Sequence, residues 1–242
     1  MSTITALLTN KAYGYPTRGA RRRRKPTVLA CLHQTANAKA TAIKERNYAN
    51  RAGSAGPSAT AYIDRDGTVV RAIDPGKYAA WCQGDVASPN TKIPTIAAAV
   101  ASGVNLNEWV HESIECSGAG TEPFTDAQFE SVARLIVAAH KVTGLPINRS
   151  TVVVHADINS VSRRSDPWPP ATREARVKRI IARANAILRP PITTVTVKSG
   201  DSLGAIAASH GLTLKALLAF TENAKHRAKP GLIRPGDIVR VK

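Results

Sequence analysis

A pair of prolines near the C-terminus divides the chain into two parts of unequal size. A basic helical pattern over residues 171–188 stops at Arg189-Pro190-Pro191, and a strand pattern rich in Thr and Val follows. Consecutive prolines cannot continue a helix and favour a short, stiff connection. We therefore predict a larger domain over residues 1–189, a Pro-rich linker over residues 190–192 and a small domain over residues 193–242.

The charge of the chain predicts an anionic partner. Its 242 residues include 34 Lys and Arg against 17 Asp and Glu, which gives a formal net charge of +17. Nucleic acid, anionic lipid and the acidic polymers of a bacterial wall are all attracted to such a surface. The basic clusters at residues 21–25 and 173–183 lack the interleaved aromatic side chains of a groove for single-stranded nucleic acid. Charge alone leaves these three partner classes open.

Cysteine usage and hydropathy indicate a protein made in a reducing compartment. Cys31, Cys82 and Cys116 do not show the CxxC spacing of a structural zinc site, so we expect reduced, buried thiols. The N-terminal segment lacks the basic start, apolar stretch and cleavage site of a secretory signal. No apolar run is long enough to cross a bilayer. We therefore predict synthesis in a cytoplasm, with no stable membrane insertion.

Strands alternate with helices in the larger part, which predicts an α/β fold with a mixed central sheet flanked by helices. Residues 58–72 form a predicted hairpin because Arg65-Asp66-Gly67 supplies its turn. Thr125 and Gln128 form a capping box that begins a helix, and the apolar positions keep helical spacing up to Gly144. The other predicted strands cover residues 27–32, 113–117 and 151–154.

Two of these strands end at a histidine. Residues 27–32 lead to His33 and residues 151–154 lead to His155, so each side chain lies at the end of a rigid, buried strand. The polar loop after His155 contains Asp166, a carboxylate that can return to the same place. Two imidazoles and one carboxylate form a three-ligand zinc site with an open position for water. Strand-end histidines also serve as structural hydrogen-bonding residues, and the spacing alone does not separate the two roles.

Four short motifs in a fixed order carry a family resemblance. They are Leu32-His33-Gln34-Thr35, the segment 58–69, Ser113-Ile114-Glu115, and His155 followed by Arg164-Ser165-Asp166-Pro167. In this order they resemble the zinc-dependent N-acetylmuramoyl-L-alanine amidases, a family that includes peptidoglycan recognition proteins, over residues 27–169. The resemblance implies Zn²⁺ bound by His33, His155 and Asp166. It also implies hydrolysis of the amide between N-acetylmuramic acid and L-alanine by a zinc-activated water.

The same resemblance implies two catalytic residues. Glu115 matches a carboxylate that takes a proton from water and delivers it to the leaving amine. Arg164 matches a position that usually carries lysine, whose cation stabilises the negative charge of the tetrahedral intermediate. An arginine keeps that charge but changes its geometry.

Two positions depart from the family pattern. Ala59 replaces a catalytic tyrosine of some members, and Tyr62, at an odd separation along the strand, is expected to point to the opposite face. We therefore do not assign Tyr62 to catalysis. Cys82, within Trp81-Cys82-Gln83-Gly84, replaces a histidine expected to help hold substrate. Substrate recognition is expected to differ there.

The C-terminal part shows a β-α-α-β pattern of its own. Residues 194–197 predict a strand, Thr213 caps the second of two short helices, and residues 232–241 predict a turn and a strand. Residues 195–207 and 233–241 resemble a LysM module, which implies binding to glycans that contain N-acetylglucosamine. The residues expected to contact glycan are Gly200, Asp201, Ser202, Leu203 and Asn223.

Together the two parts predict a monomeric, phage endolysin-like peptidoglycan hydrolase. Its LysM module would bind glycan strands and its amidase domain the stem peptide, after a separate agent has permeabilised the membrane. One alternative is a cytosolic amidase that recycles soluble muropeptides, which would gain nothing from polymer anchoring. The second alternative is a non-catalytic peptidoglycan-binding protein, against which the intact ligand set argues. The third is a nucleic-acid binder that uses the basic surface, although we predict no nucleic-acid partner.

Overall fold

The fold is known from a computed structural model that describes residues 4–6, 24–49, 58–80, 82, 86–103, 105–120, 122–189 and 192–242. The chain forms two compact units, Met1–Leu188 and Arg189–Lys242. Within the described ranges, no helix has the length and apolar character needed to span a membrane. Pro190 and Pro191 of the predicted linker, and residues 21–23 of the first basic cluster, lie outside the described residues.

The larger unit is built on a six-stranded mixed sheet in the order β1-β4-β3-β5-β2-β6. Neighbouring strands are parallel except β3 and β4, which form the antiparallel hairpin predicted around the turn at residues 65–67. Gly67 takes a positive φ of 87° in that turn, a conformation that favours glycine. The strands are β1 Ile4–Ala6, β2 Val28–Gln34, β3 Ala61–Ile63, β4 Val69–Arg71, β5 Val110–Cys116 and β6 Val152–Val154.

Burial explains why the central strands are apolar. All seven residues of β2 are buried, because this strand lies between β5 and β6 and both of its faces are covered. Strands β2, β3, β5 and β6 run in one direction, so their carboxyl ends meet at the same edge of the sheet. This edge receives the polar residues that follow the apolar runs.

In the described part of this unit, five α-helices accompany the sheet: α1 Ala42–Ala49, α2 Pro94–Ala101, α3 Asp126–Thr143, α4 His155–Ile158 and α5 Pro170–Leu188. The predicted capping box of α3 is present, since Thr125 and Gln128 bond each other's backbone N–H, and the helix ends at Gly144 in the left-handed conformation. The buried faces of α3 and α5 pack with the sheet into the largest apolar cluster. In a smaller apolar cluster, α2 packs against side chains of β2, β5 and β6 that do not belong to the largest cluster.

The smaller unit has the predicted β-α-α-β order with one extra short helix. Its elements are β7 Thr194–Thr196, α6 Leu203–Ser209, α7 Leu214–Ala219, α8 Ala224–Arg227 and β8 Ile238–Arg240. Strands β7 and β8 pair antiparallel. A separate apolar cluster, which includes Leu203, Ala207, Leu217 and Val239, fills its interior. This unit therefore has a hydrophobic core of its own.

The observed architecture confirms the predicted α/β class with a mixed sheet flanked by helices. The three cysteines form no disulfide and are buried, as expected. Strand β1 and helices α1, α2, α4 and α8 were not predicted, because each is short.

Candidate metal centre and cleft

Three side chains converge at the carboxyl-terminal edge of the sheet. His33 lies near the end of β2, His155 directly follows β6 as the first residue of α4, and Asp166 lies in the loop before α5. The Nδ1 atoms of the two histidines are 3.0 Å apart. Asp166 Oδ2 lies 2.9 Å from His155 Nδ1 and 3.8 Å from His33 Nδ1. The fold thus brings together the three residues predicted as metal ligands, and they form a possible metal site.

Each of these side chains is held by its own surroundings. The backbone N–H of Gln34 donates to Asp166 Oδ1 at 2.9 Å, which ties the Asp166 loop to the end of β2. Asp157 accepts a hydrogen bond from the backbone N–H of Val154 at 3.0 Å and fixes the start of α4. Arg149 in turn binds both carboxylate oxygens of Asp157 at 2.9 Å. The positions of Asp166 and His155 are therefore supported by further hydrogen bonds.

An aromatic anchor holds the other side of the Asp166 loop. Trp168, two residues after Asp166, is fully buried. Its ring packs edge-on against Phe124, with centroids 4.6 Å apart, and stacks with Phe129 at 6.1 Å. The end of this loop that leads into α5 is therefore fixed at Asp166 and Trp168, although residues 160–165 are exposed.

The charge states of the cluster suit metal binding. Burial lowers the pKa of His33 from 6.5 to about 4, so its imidazole is neutral at pH 7. Burial opposes ionisation of Asp166, but the hydrogen bonds from His155 and His33 outweigh it and hold the pKa of this carboxyl well below its usual range. A neutral imidazole and an ionised carboxylate are the forms that coordinate metal ions.

Glu115 lies beside this cluster on the neighbouring strand. It pairs in register with His33 of β2 and with Tyr62 of β3, so the three side chains share one face of the sheet. Burial and the negative charge of Asp166 raise the pKa of Glu115 well above its usual value. A carboxylate with a raised pKa holds a proton more readily, as a proton-transfer group requires.

These residues line one cleft, and one expectation about its wall is wrong. Tyr62 does not point away from Ala59: its phenol oxygen accepts a hydrogen bond from the backbone N–H of Ala59 at 3.0 Å, and both residues line the cleft. Ala59 precedes β3, so the alternation of a strand does not relate the two positions. Burial raises the pKa of Tyr62, and its hydroxyl stays protonated.

Helix α1 supplies a part of the wall that the sequence did not predict. Glu45 and Tyr48 of this helix line the cleft. The helix is held to the sheet because Asp64, after β3, accepts a hydrogen bond from the backbone N–H of Ala42 at 2.7 Å. No motif marks Glu45, and its raised pKa, caused by partial burial, becomes visible only once the chain is folded.

The arginines of the Asp166 loop occupy different positions. Arg163 lines the cleft together with His33, Glu115 and Asp166. Arg164 is exposed, and its backbone carbonyl accepts a hydrogen bond from Arg173. The arginine that lies beside the candidate metal-binding residues is thus Arg163, whereas the family motif indicated its neighbour Arg164.

The residues predicted to contact glycan in the smaller unit lie at the start of α6 and, for Asn223, directly before α8. Asp201 accepts a hydrogen bond from the backbone N–H of Lys198 at 2.7 Å, Ser202 caps α6, and Leu203 is buried in the core. Gly200 has a positive φ of 87° in the turn before the helix.

Asn223 is fully buried, and its amide makes three hydrogen bonds to the backbone. The side-chain nitrogen donates to the carbonyls of Leu217 and Arg240, both at 2.8 Å. The side-chain oxygen accepts from the backbone N–H of Arg240 at 2.8 Å. Because these bonds occupy the amide, we do not include Asn223 among the glycan-binding residues proposed below.

Comparison with known proteins identifies the family. The family model described as N-acetylmuramoyl-L-alanine amidase matches residues 23–169, more than half of the chain. The chain belongs to this amidase family. A LysM-domain model matches residues 195–242 of the same chain. The amidase is therefore a peptidoglycan hydrolase with a peptidoglycan-binding LysM domain, and the predicted enzyme class is confirmed.

Solved structures were compared with the amidase, and the PlyG catalytic domain supports its fold. The catalytic domain of PlyG is 16% identical over 76% of this chain and 93% of that chain, with a TM-score of 0.50. The N-acetylmuramoyl-L-alanine amidase LysC from Clostridium intestinale URNW is 16% identical over 74% and 99%, with a TM-score of 0.47. The hydrolase AmiA from Staphylococcus aureus is 17% identical over 77% and 84%, with a TM-score of 0.48. No curated protein sequence matches the amidase significantly.

Proposed function

We propose that the amidase is a zinc enzyme whose metal ligands are His33, His155 and Asp166. The observation that carries this proposal is the convergence of three donor atoms at separations of 3.0, 2.9 and 3.8 Å. Ligand atoms about 2.0–2.2 Å from a tetrahedral zinc ion are separated by about 3.3–3.6 Å, so the observed spacing fits such an ion after small adjustments. Two imidazoles and one carboxylate also match the ligand chemistry of catalytic zinc.

Zinc, when bound, polarises the carbonyl of the scissile amide and lowers the pKa of water. Glu115 lies within reach of this site, because its carboxylate and a ring nitrogen of His33 belong to a set of ligand atoms within 4.8 Å of one another. Its raised pKa suits a group that accepts a proton from the attacking water and then donates it to the amine of L-alanine. Glu115 is therefore the proposed general base and acid.

A cation is also required beside the reacting carbonyl. Negative charge builds up on its oxygen as the carbon becomes tetrahedral, and a fixed positive charge lowers the energy of that state. The family motif indicates Arg164 for this role, whereas Arg163 is the arginine that lines the cleft. We propose that Arg163 supplies this charge, and the two arginines are compared directly below.

The smaller unit would anchor the enzyme to the wall. We propose that residues around the start of α6, Gly200, Asp201 and Ser202, contact the glycan strands, with Leu203 supporting them from the core. Covalent linkage to a polymer-binding module raises the effective concentration of the catalytic site at an insoluble substrate. The positive charge of the chain would add a salt-sensitive attraction to anionic wall polymers.

This combination supports an endolysin-like role, in which a monomeric amidase made in a host cytoplasm reaches the wall once the membrane is permeable. Zinc content and peptidoglycan digestion test the proposal together. Metal removal with a chelator should abolish release of peptides that begin with L-alanine, and added Zn²⁺ should restore it. Digestion that is unaffected by chelation would refute the zinc assignment.

A further inference from the structure

The cleft contains a second set of side chains suited to a metal ion. The set comprises a thiol, a carboxylate and an imidazole, from Cys82, Glu115 and His33, whose potential ligand atoms lie within 4.8 Å of one another. All three line the cleft. Cys82 and Glu115 do not belong to the first ligand set, whereas His33 is common to both. An imidazole has two ring nitrogens, so one histidine can serve two ions once its ring N–H proton has been lost.

The position of Cys82 is fixed by a buried hydrogen-bond chain. Its backbone N–H donates to Asn107 Oδ1 at 2.9 Å, and Asn107 is itself 1% exposed. The side-chain nitrogen of Asn107 donates to Asn105 Oδ1 at 2.6 Å. The thiol of Cys82 then lies 3.8 Å from Glu115 Oε2. Glu115 and His33 are held in register on adjacent strands, so two members of the set stand on the sheet.

The thiol distinguishes this set chemically from the first. The first set offers only nitrogen and oxygen, whereas thiolate sulfur favours thiophilic ions such as Zn²⁺ and Cd²⁺. The other two thiols, Cys31 and Cys116, are fully buried in apolar clusters. Among the described residues, Cys82 is therefore the cysteine that a metal ion entering this cleft would meet.

We propose that Cys82, Glu115 and His33 bind a second, thiophilic divalent ion, and that this ion inhibits the amidase by occupying Glu115. The inference rests on the proposed function of Glu115. On binding, a sulfur–metal bond forms and the thiol proton leaves to solvent. When both ions are bound, the ring N–H proton of His33 also leaves to solvent, so that His33 serves both ions as an imidazolate, and no group is oxidised or reduced. A carboxylate that coordinates a metal ion is no longer available to accept a proton from water. Amidase activity should therefore rise with zinc concentration as the first site fills, and then fall as the second site fills.

A cadmium titration of the full chain tests the site directly, because a cadmium–thiolate bond has an ultraviolet charge-transfer band that nitrogen and oxygen ligands lack. The band should appear in the unmodified chain and in Cys116→Ala, and be lost in Cys82→Ala and Cys82→Ser. The serine variant keeps a hydroxyl of similar shape, so at least one variant should retain the native circular dichroism spectrum. A band that survives in a folded Cys82 variant would overturn the proposal.

Zinc stoichiometry separates this site from the first one. The unmodified chain should bind two Zn²⁺ at saturation, Cys82→Ser one, and His155→Ala one. With cadmium, His155→Ala should keep the charge-transfer band, since the thiol-containing set remains intact in this variant. One ion in the unmodified chain, lost in His155→Ala and kept in Cys82→Ser, would refute the second site and leave the first standing.

Inhibition by excess Zn²⁺ provides the functional readout. We expect the concentration for half inhibition to rise by at least about tenfold in Cys82→Ser, since loss of a single supporting group already weakens metal sites by about 10–100-fold. Cys116→Ala should be inhibited like the unmodified amidase. Equal inhibition of the unmodified chain and Cys82→Ser would contradict the proposal.

Discussion

His33 Nδ1 and His155 Nδ1 face each other at 3.0 Å, although 122 positions separate the two residues in the chain. Two imidazole lone pairs repel each other at this distance unless a proton or a cation lies between them. Burial keeps His33 neutral at pH 7, and Asp166 adds a carboxylate oxygen on the same side. The proposed zinc ion would lie between the donor atoms of these three side chains.

Replacement of His155 by alanine should therefore abolish zinc binding to the first set. A site that loses one of three protein ligands binds its ion far more weakly. Metal analysis of the dialysed variant at limiting zinc checks this prediction. His140→Ala is the matched control, since His140 lies on α3 and bonds the backbone carbonyl of Leu145 at 2.8 Å. Unchanged zinc affinity in His155→Ala would remove this residue from the ligand set.

Glu115→Gln should lower the turnover number by about 100-fold or more while zinc remains bound, because proton transfer by a positioned group contributes about 10²–10⁴-fold. Glutamine keeps the shape of the side chain but cannot accept the proton. Glu45→Gln is the control, since Glu45 is a second carboxylate that lines the same cleft. If Glu45→Gln cost as much activity as Glu115→Gln, the base would remain unassigned.

Arg163→Ala should reduce the turnover number by about 10–100-fold, because loss of a group that stabilises the developing charge raises the barrier. Arg164→Ala should have a much smaller effect, since both arginines are exposed but Arg164 does not line the cleft. Turnover numbers of the two variants, measured under the same conditions, decide between the assignment made from the structure and the assignment made from the family motif. A larger loss in Arg164→Ala would restore the assignment made from the sequence.

These arginines show where prediction from the sequence stops. The strands that carry His33, Glu115 and His155 were predictable because apolar, β-branched runs must be buried and their ends fall at one sheet edge. The direction of a side chain in an irregular loop depends on local backbone angles, which residue pattern does not encode. The family motif therefore indicated the loop that contains Asp166, but it could not determine which of the two arginines lines the cleft.

Helix α1 was missed for a different reason. It spans only eight residues, and only Ala42 and Ala49 are buried, so it has no apolar periodicity to detect. Tertiary contacts, such as the hydrogen bond from Ala42 to Asp64, hold it in place. Glu45 and Tyr48 consequently enter the cleft without any signal in the sequence. Strand β1 is similarly short, and its pairing with β4 is a long-range contact.

The metal-free amidase should become less stable as the pH falls below about 6.5. The pKa of His33 is about 4 in the folded chain against 6.5 for an ordinary histidine, so unfolding takes up a proton between these values. The full shift corresponds to about 3 kcal/mol of unfolding free energy. The lowered pKa of Asp166 adds a loss in the same direction at lower pH.

Thermal unfolding of the chelated chain between about pH 7 and pH 4 measures this dependence. His33→Gln removes the titrating imidazole and should flatten the upper part of the profile. A profile of the same slope in His33→Gln would show that other groups cause the loss of stability.

Removal of residues 189–242 should weaken binding to purified sacculi by at least about tenfold, because the catalytic unit loses its anchor. The remaining unit contains the whole sheet and the described metal centre. Co-sedimentation at moderate salt measures the binding, and hydrolysis of a soluble muropeptide serves as the control, which should be unchanged. Equal sacculus binding by the shortened and full-length chains would contradict the anchoring role.

The most direct test of the account is digestion of purified peptidoglycan followed by mass spectrometry. The account predicts released peptides with a free N-terminal L-alanine, no new reducing sugar ends, loss of this activity after chelation and its recovery with stoichiometric Zn²⁺. New reducing ends, or cleavage that persists without metal, would contradict the assignment of a zinc amidase centred on His33, His155 and Asp166.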